Sequence, residues 1–65
     1  MIVFIHVTDI NDRRHTVNVG SIAQYYESNL GCIIELDSGT RIEYIKDSWE
    51  DITQAIIEAA NPSMV

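Results

Sequence analysis

The chain is short of cysteine, and that shortage limits how it can be stabilised. Cys32 is the single cysteine among 65 residues, so no disulfide can form within one chain. One cysteine and two histidines, His6 and His15, are too few for the four ligands of an ordinary structural zinc site. A lone thiol without a secretory leader is typical of the reducing cytosol, and we expect the protein to be cytoplasmic.

Positive charge is equally scarce, and its scarcity excludes two classes of partner. Four Lys and Arg residues stand against ten Asp and Glu residues, which gives a net charge of −6. Phosphate backbones and anionic membrane surfaces both require clustered cations. No apolar run is long enough to span a bilayer. We therefore expect no direct nucleic-acid binding and no membrane association, whereas a basic protein partner would suit this surface.

The length of the chain predicts one domain, residues 1–65, with a marginal core. A domain of this size buries only ~60% of the surface that its unfolded chain exposes. Small domains are usually supplemented by disulfides, a metal or a partner chain. Because the first two are excluded here, we predict a homo-oligomer.

Alternating apolar residues predict strands along most of the chain. Residues 2–8 are β-branched and aromatic with apolar groups on both faces, which is typical of a central strand or of one covered by a partner. Residues 9–14 are predicted to form a turn. Gly39 can take the positive φ of a short hairpin loop. The further predicted strands lie within residues 15–19 and, as the clearest hairpin, 32–46. Residues 22–27 fit either a strand or one helical turn, and the adjacent Tyr25 and Tyr26 favour the strand.

A helix is predicted after Ser48, which is a candidate N-cap with Asp51 three residues later. Pro62 should end the helix. Its apolar stripe is Trp49, Ile52, Ala55, Ile56, Ala59 and Ala60, and its water-facing residues are Glu50, Thr53, Gln54 and Glu58. The predicted fold class is α+β, a small antiparallel sheet of four to five strands with one C-terminal helix packed on one face.

No set of residues predicts catalysis. Cys32 lies in an alternating apolar segment, where a buried structural thiol is expected rather than a nucleophile. The glycines are scattered turn residues and form no phosphate-binding motif. We therefore expect no catalytic residues, no cofactor and no metal.

Several surface residues are candidates for a protein interface. Tyr25 and Tyr26 are adjacent, so on a strand their rings must point to opposite faces and one of them should leave the core. Trp49 and Tyr44 are expected to pack in the core. Arg13 and Arg14 form the single basic pair, which fits either a solvated turn or recognition of an anion. The candidate interface consists of Tyr25, Tyr26, Arg13, Arg14, Glu35, Asp37 and Glu43.

From residue 17 onward the layout resembles the small FlbD/SwrD-type flagellar and swarming-motility proteins, which have look-alikes in phage genomes. The matching segments are VNVGSI at residues 17–22, IELDSGTRI at 34–42 and KDSWEDI at 46–52. The resemblance implies a hairpin-and-helix fold and a partner in the flagellar motor apparatus. Two family features differ: residues 9–14 replace a Leu-Asn-Gly turn, and a Pro-Asp-Thr segment between the hairpins is absent.

These observations predict a small non-enzymatic binding module, of bacterial or phage origin, that self-associates and regulates a protein partner. The alternative is a phage-encoded inhibitor of a bacterial defence system. Such an inhibitor would act as an acidic nucleic-acid mimic through Glu35, Asp37 and Glu43, or as an oligomeric trap for a nucleotide signal.

Overall fold

A computed structural model describes residues 2–60, and its fold is α+β as predicted. The predicted helix stop at Pro62 lies outside the described residues. The elements in chain order are β1 Phe4–Thr8, β2 Arg14–Asn18, a 3-10 turn Val19–Ser21, β3 Ile22–Ser28, β4 Gly31–Leu36, β5 Arg41–Ile45 and α1 Trp49–Ala60.

The strands form two small antiparallel sheets, so the prediction of one sheet is wrong. β1 pairs with β2, and β3, β4 and β5 form a meander in that order. The 3-10 turn after β2 redirects the chain before β3 begins, so β2 and β3 do not pair. The sheets meet where Ile10 N–H donates to the Tyr44 carbonyl and Lys46 N–H donates to the Thr8 carbonyl, both at 2.9 Å.

The core lies between the two sheets and the helix. Alternation explains its composition, because every second residue of a strand points to the same face. Gly31 allows the sheet to close tightly: its φ is 115°, and a Cβ there would lie 2.5 Å from the Ile45 carbonyl oxygen. The buried core residues are Ile5, Val7, Val17, Cys32, Ile34, Ile45 and Ile52.

The helix begins as predicted and differs from the prediction along its length. Ser48 Oγ accepts a hydrogen bond from Asp51 N–H at 3.0 Å, which confirms the N-cap. α1 contacts β1 and β3 and buries Ile52. Thr53 was predicted to face water, but it bonds the Tyr25 hydroxyl at 2.7 Å. Ala60, which was predicted in the apolar stripe, is exposed.

Candidate binding surfaces

The outer side of the β1–β2 hairpin is an uncovered surface, which we call the hairpin face. Antiparallel partners point to the same side of a sheet, and the register pairs Phe4 with Asn18, His6 with Thr16, and Thr8 with Arg14. Thr8 and Asn18 are half-buried, and the other four are exposed. The hairpin face therefore consists of Phe4, His6, Thr8, Arg14, Thr16 and Asn18.

Apolar side chains at and just before the start of β1 remain in water. Phe4 is 53% exposed, and Ile2, two residues before it, is 69% exposed. Ile5 and Val7 of the same strand point the other way and are buried in the core. The candidate interface predicted from the sequence missed Phe4. The available signal was the presence of apolar groups on both faces of residues 2–8.

The charge of the hairpin face is unlike that of the rest of the chain, because none of its six residues is acidic. Arg14 is exposed on this face, and Arg13 precedes it in the turn; neither forms an ion pair with any residue between 2 and 60. The other two cations are engaged: Arg41 pairs with Glu35 and Glu43, and Lys46 pairs with Asp12.

The outer side of the three-stranded sheet is a second uncovered surface, which we call the sheet face. The register pairs Gln24 with Glu35, Tyr26 with Ile33, and Glu35 with Arg41. β4 is the middle strand, so Ile33 lies near the centre of this face with polar residues around it. The sheet face consists of Gln24, Tyr26, Ile33, Glu35, Arg41 and Glu43, and none of these residues is buried.

A hydrogen-bond network fixes one half of the sheet face. The Tyr26 hydroxyl donates to Glu35 Oε2 at 2.9 Å and accepts from Arg41 Nη2 at 2.8 Å. Gln24 Nε2 donates to Glu35 Oε1 at 2.6 Å. The bonds from Gln24 and then Tyr26 lower the pKa of Glu35, and the bond to Tyr26 raises the pKa of Arg41. These side chains are therefore held in place before any partner arrives.

The two adjacent tyrosines lie on opposite faces of β3. The Tyr25 ring stacks on Trp49 with centroids 5.9 Å apart, and its hydroxyl bonds Thr53, so Tyr25 packs under the helix. Tyr26 lies on the sheet face.

The expected core placement of Trp49 and Tyr44 is wrong. Their exposed fractions are 39% and 42%. Trp49 begins the helix and is stacked by Tyr25, while Tyr44 has a φ of 60° in an irregular part of the β4–β5 ladder that displaces it from the regular alternation.

The three predicted acidic residues do not form a row of free carboxylates. Glu35 and Glu43 share Arg41, at 3.2 Å and 4.0 Å respectively. Asp37 is exposed, and its backbone N–H donates to the Ser21 carbonyl. Imitation of a nucleic acid and trapping of a nucleotide signal stay predictions.

The remaining chemically reactive side chains are accounted for by packing and turn formation. Cys32 is buried, and its pKa is raised first by that burial and then by the charge of Glu27. His6 Nδ1 lies 3.1 Å from Thr16 Oγ1, whereas His15 bonds Asp9 on the opposite side of the hairpin. Within residues 2–60, no three His, Cys, Asp or Glu side chains converge as a metal site would require. Over the same range, no helix has the length and apolar character needed to cross a membrane.

Comparisons with protein families, with curated proteins and with solved structures each found no significant match to this chain. The resemblance to the FlbD/SwrD-type proteins stays a prediction.

Proposed function

We propose that this chain is a non-enzymatic cytoplasmic binding module that self-associates and regulates a protein partner. The helix α1 lies on the inner face of the strands. The hairpin face and the sheet face are therefore both available for contacts between molecules. The observation that carries the proposal is the exposure of Phe4 on one side of β1, with Ile2 also exposed just before the strand, although the opposite side of the same strand is fully used by the core.

The exposed aromatic ring supplies a driving force for association. Complete burial of a Phe side chain contributes about 1.5–3 kcal/mol, so covering the exposed half of Phe4 would contribute on the order of 1 kcal/mol. Single exposed apolar residues are common on protein surfaces. Here Phe4 on β1 and Ile2 just before the strand are both exposed in a domain whose core is marginal, and this combination supports assembly.

The regulated partner is proposed to be a protein with a basic surface. The net charge of −6 favours such a partner and disfavours phosphate backbones. The resemblance to FlbD/SwrD-type proteins makes a component of the flagellar motor apparatus the first partner to test.

Sedimentation velocity tests the self-association on which this proposal depends. We expect the chain to sediment as an oligomer at concentrations on the order of tens of micromolar and to dissociate on dilution. A chain that sediments as a monomer throughout this range would overturn the proposal.

A further inference from the structure

We infer that the hairpin face of one copy binds the sheet face of a second copy, so that molecules of this chain assemble head to tail. This inference rests on the self-association proposed above and adds which two surfaces meet. It follows from the charge, the apolar content and the fixed side chains of the two faces.

Charge distinguishes this pairing from the two symmetric ones. The hairpin face has no carboxylate and presents Arg14 without an ion-pair partner. The sheet face presents Glu43 and Glu35. Two hairpin faces in contact would bring no carboxylate to either Arg14, and two sheet faces would bring together surfaces that each carry Glu35 and Glu43 against the single cation Arg41. Only the crossed pairing brings a free cation to an acidic surface, in a chain whose net charge of −6 otherwise makes copies repel each other.

Glu43 is the acidic residue best placed to receive that cation. Glu35 already accepts hydrogen bonds from Gln24 and Tyr26 and forms an ion pair with Arg41. Glu43 has a single long contact, 4.0 Å to Arg41 Nη1, and its side chain is well exposed. Its carboxylate can therefore accept the forked N–H groups of Arg14 from another copy without breaking the network.

The apolar residues of the two faces are also complementary. Protein interfaces commonly have an apolar centre with a polar rim. The sheet face has this arrangement, since Ile33 lies beside the Tyr26 ring on the middle strand and polar side chains surround both. The exposed ring of Phe4 on the hairpin face requires an apolar surface of this kind.

Crossed pairing leaves one hairpin face and one sheet face unsatisfied in every dimer. Such heterologous contacts close into a ring if the rotation between copies permits, and otherwise continue as an open filament. The assembly is therefore expected to contain more than two copies.

A charge exchange between the two faces tests the pairing directly. Arg14→Glu and Glu43→Arg are each expected to weaken association roughly tenfold, because each places like charges in contact. The double variant Arg14→Glu/Glu43→Arg restores opposite charges across the contact and should recover most of the wild-type association. Sedimentation velocity at matched protein and salt concentrations measures all four chains.

Glu58→Arg is the matched control, because it makes the same change in net charge as Glu43→Arg from an exposed position on α1. Its sedimentation coefficient should equal or exceed that of the wild type at the same concentration. Far-ultraviolet circular dichroism checks that each variant folds, and if one does not, Arg14→Gln and Glu43→Gln replace the exchange and should each weaken association.

The possible outcomes separate this inference from the proposed function. If the wild type is monomeric, self-association itself fails. If the wild type assembles but Arg14→Glu and Glu43→Arg sediment like it, the crossed pairing is wrong while self-association stands. If both single variants dissociate and the double variant does not recover, Arg14 and Glu43 do not face each other and the inference is overturned.

Discussion

Asp9 closes the first hairpin turn without a glycine. Its Oδ1 accepts from the backbone N–H groups of Asn11 and Arg13 at 2.9 and 3.0 Å, and its Oδ2 accepts from His15 Nε2 at 2.9 Å. These three hydrogen bonds to one carboxylate hold the turn of residues 9–13, which has no glycine and in which Asp12 has a φ of 62°.

This arrangement predicts that Asp9 makes folding stability depend on pH. The bond from His15, helped by the backbone of Arg13 and Asn11 and opposed by partial burial, lowers the pKa of Asp9 below its ordinary value of 3.8. A carboxyl group with a lower pKa in the folded state stabilises above its unfolded pKa, and that contribution is lost as pH falls through the folded pKa. Urea unfolding between pH 2 and 6 should show this loss.

Asp9→Asn is the comparison for that experiment, because it keeps the size of the side chain and cannot titrate. We expect it to be less stable than the wild type at pH 6 and to show a shallower decline as the pH is lowered. Equal slopes for the two chains would show that Asp9 does not contribute to the acid sensitivity.

At the scale of elements, the two glycines at the turns of the meander both have positive φ but differ in how closely other atoms surround them. Gly31 joins β3 to β4 with a φ of 115°, and an added Cβ would lie 2.5 Å from the Ile45 carbonyl oxygen. Gly39 joins β4 to β5 with a φ of 91° and has open space around it. Both positions are strained for other residues, but Gly31 is also tightly packed.

Alanine at each position should separate backbone strain from packing. We expect Gly39→Ala to lower the free energy of unfolding by about 1 kcal/mol, from the positive φ alone. Gly31→Ala should cost roughly 2–4 kcal/mol, because the β5 backbone must also move away. Urea denaturation of both variants measures the difference, and equal losses would contradict the packing role of Gly31.

Sequence reasoning located the elements well because their signals are local. Alternation predicted the strands to within about two residues, and the Ser48 cap predicted the start of the helix. It failed where the outcome depends on distant partners. Nothing near Asp9 shows that it bridges to Ile45 and so links the two sheets. Likewise, nothing near Thr53 shows that the Tyr25 hydroxyl will reach it.

The candidate site was predicted in part for the same reason. The two tyrosines had to face opposite ways, which follows from strand geometry alone. The sharing of Arg41 between Glu35 and Glu43 depends on the pairing of β4 with β5 and on the direction of each side chain, so sequence spacing could not reveal it.

At the scale of the whole molecule, assembly should be coupled to thermal stability. An oligomer of folded chains unfolds at a temperature that rises with protein concentration, because association stabilises only the folded state. We expect this rise for the wild type. Phe4→Ser should reduce it, because losing on the order of 1 kcal/mol moves association to roughly fivefold higher concentrations, and it should change the dilute-limit Tm little, since Phe4 is already half exposed before association. Differential scanning calorimetry over a hundredfold range of concentration measures both chains.

Leu30→Ser is the control for that measurement. Leu30 is 63% exposed in the turn between β3 and β4 and belongs to neither binding face. Its variant should keep the concentration dependence of the wild type. An equal reduction of the dependence in both variants would mean that general surface hydrophobicity, rather than Phe4, holds the copies together.

The alkylation rate of the buried cysteine measures how often the core opens. Cys32 lies inside the β4 strand at the centre of the core, and its thiol is held in the unreactive protonated form. An alkylating reagent can reach it only when the core around it opens, so the rate of modification reports how often a chain opens. Assembled chains open less often than free ones. The rate at which Cys32 is modified in a living cell would therefore report the fraction of molecules that are monomeric.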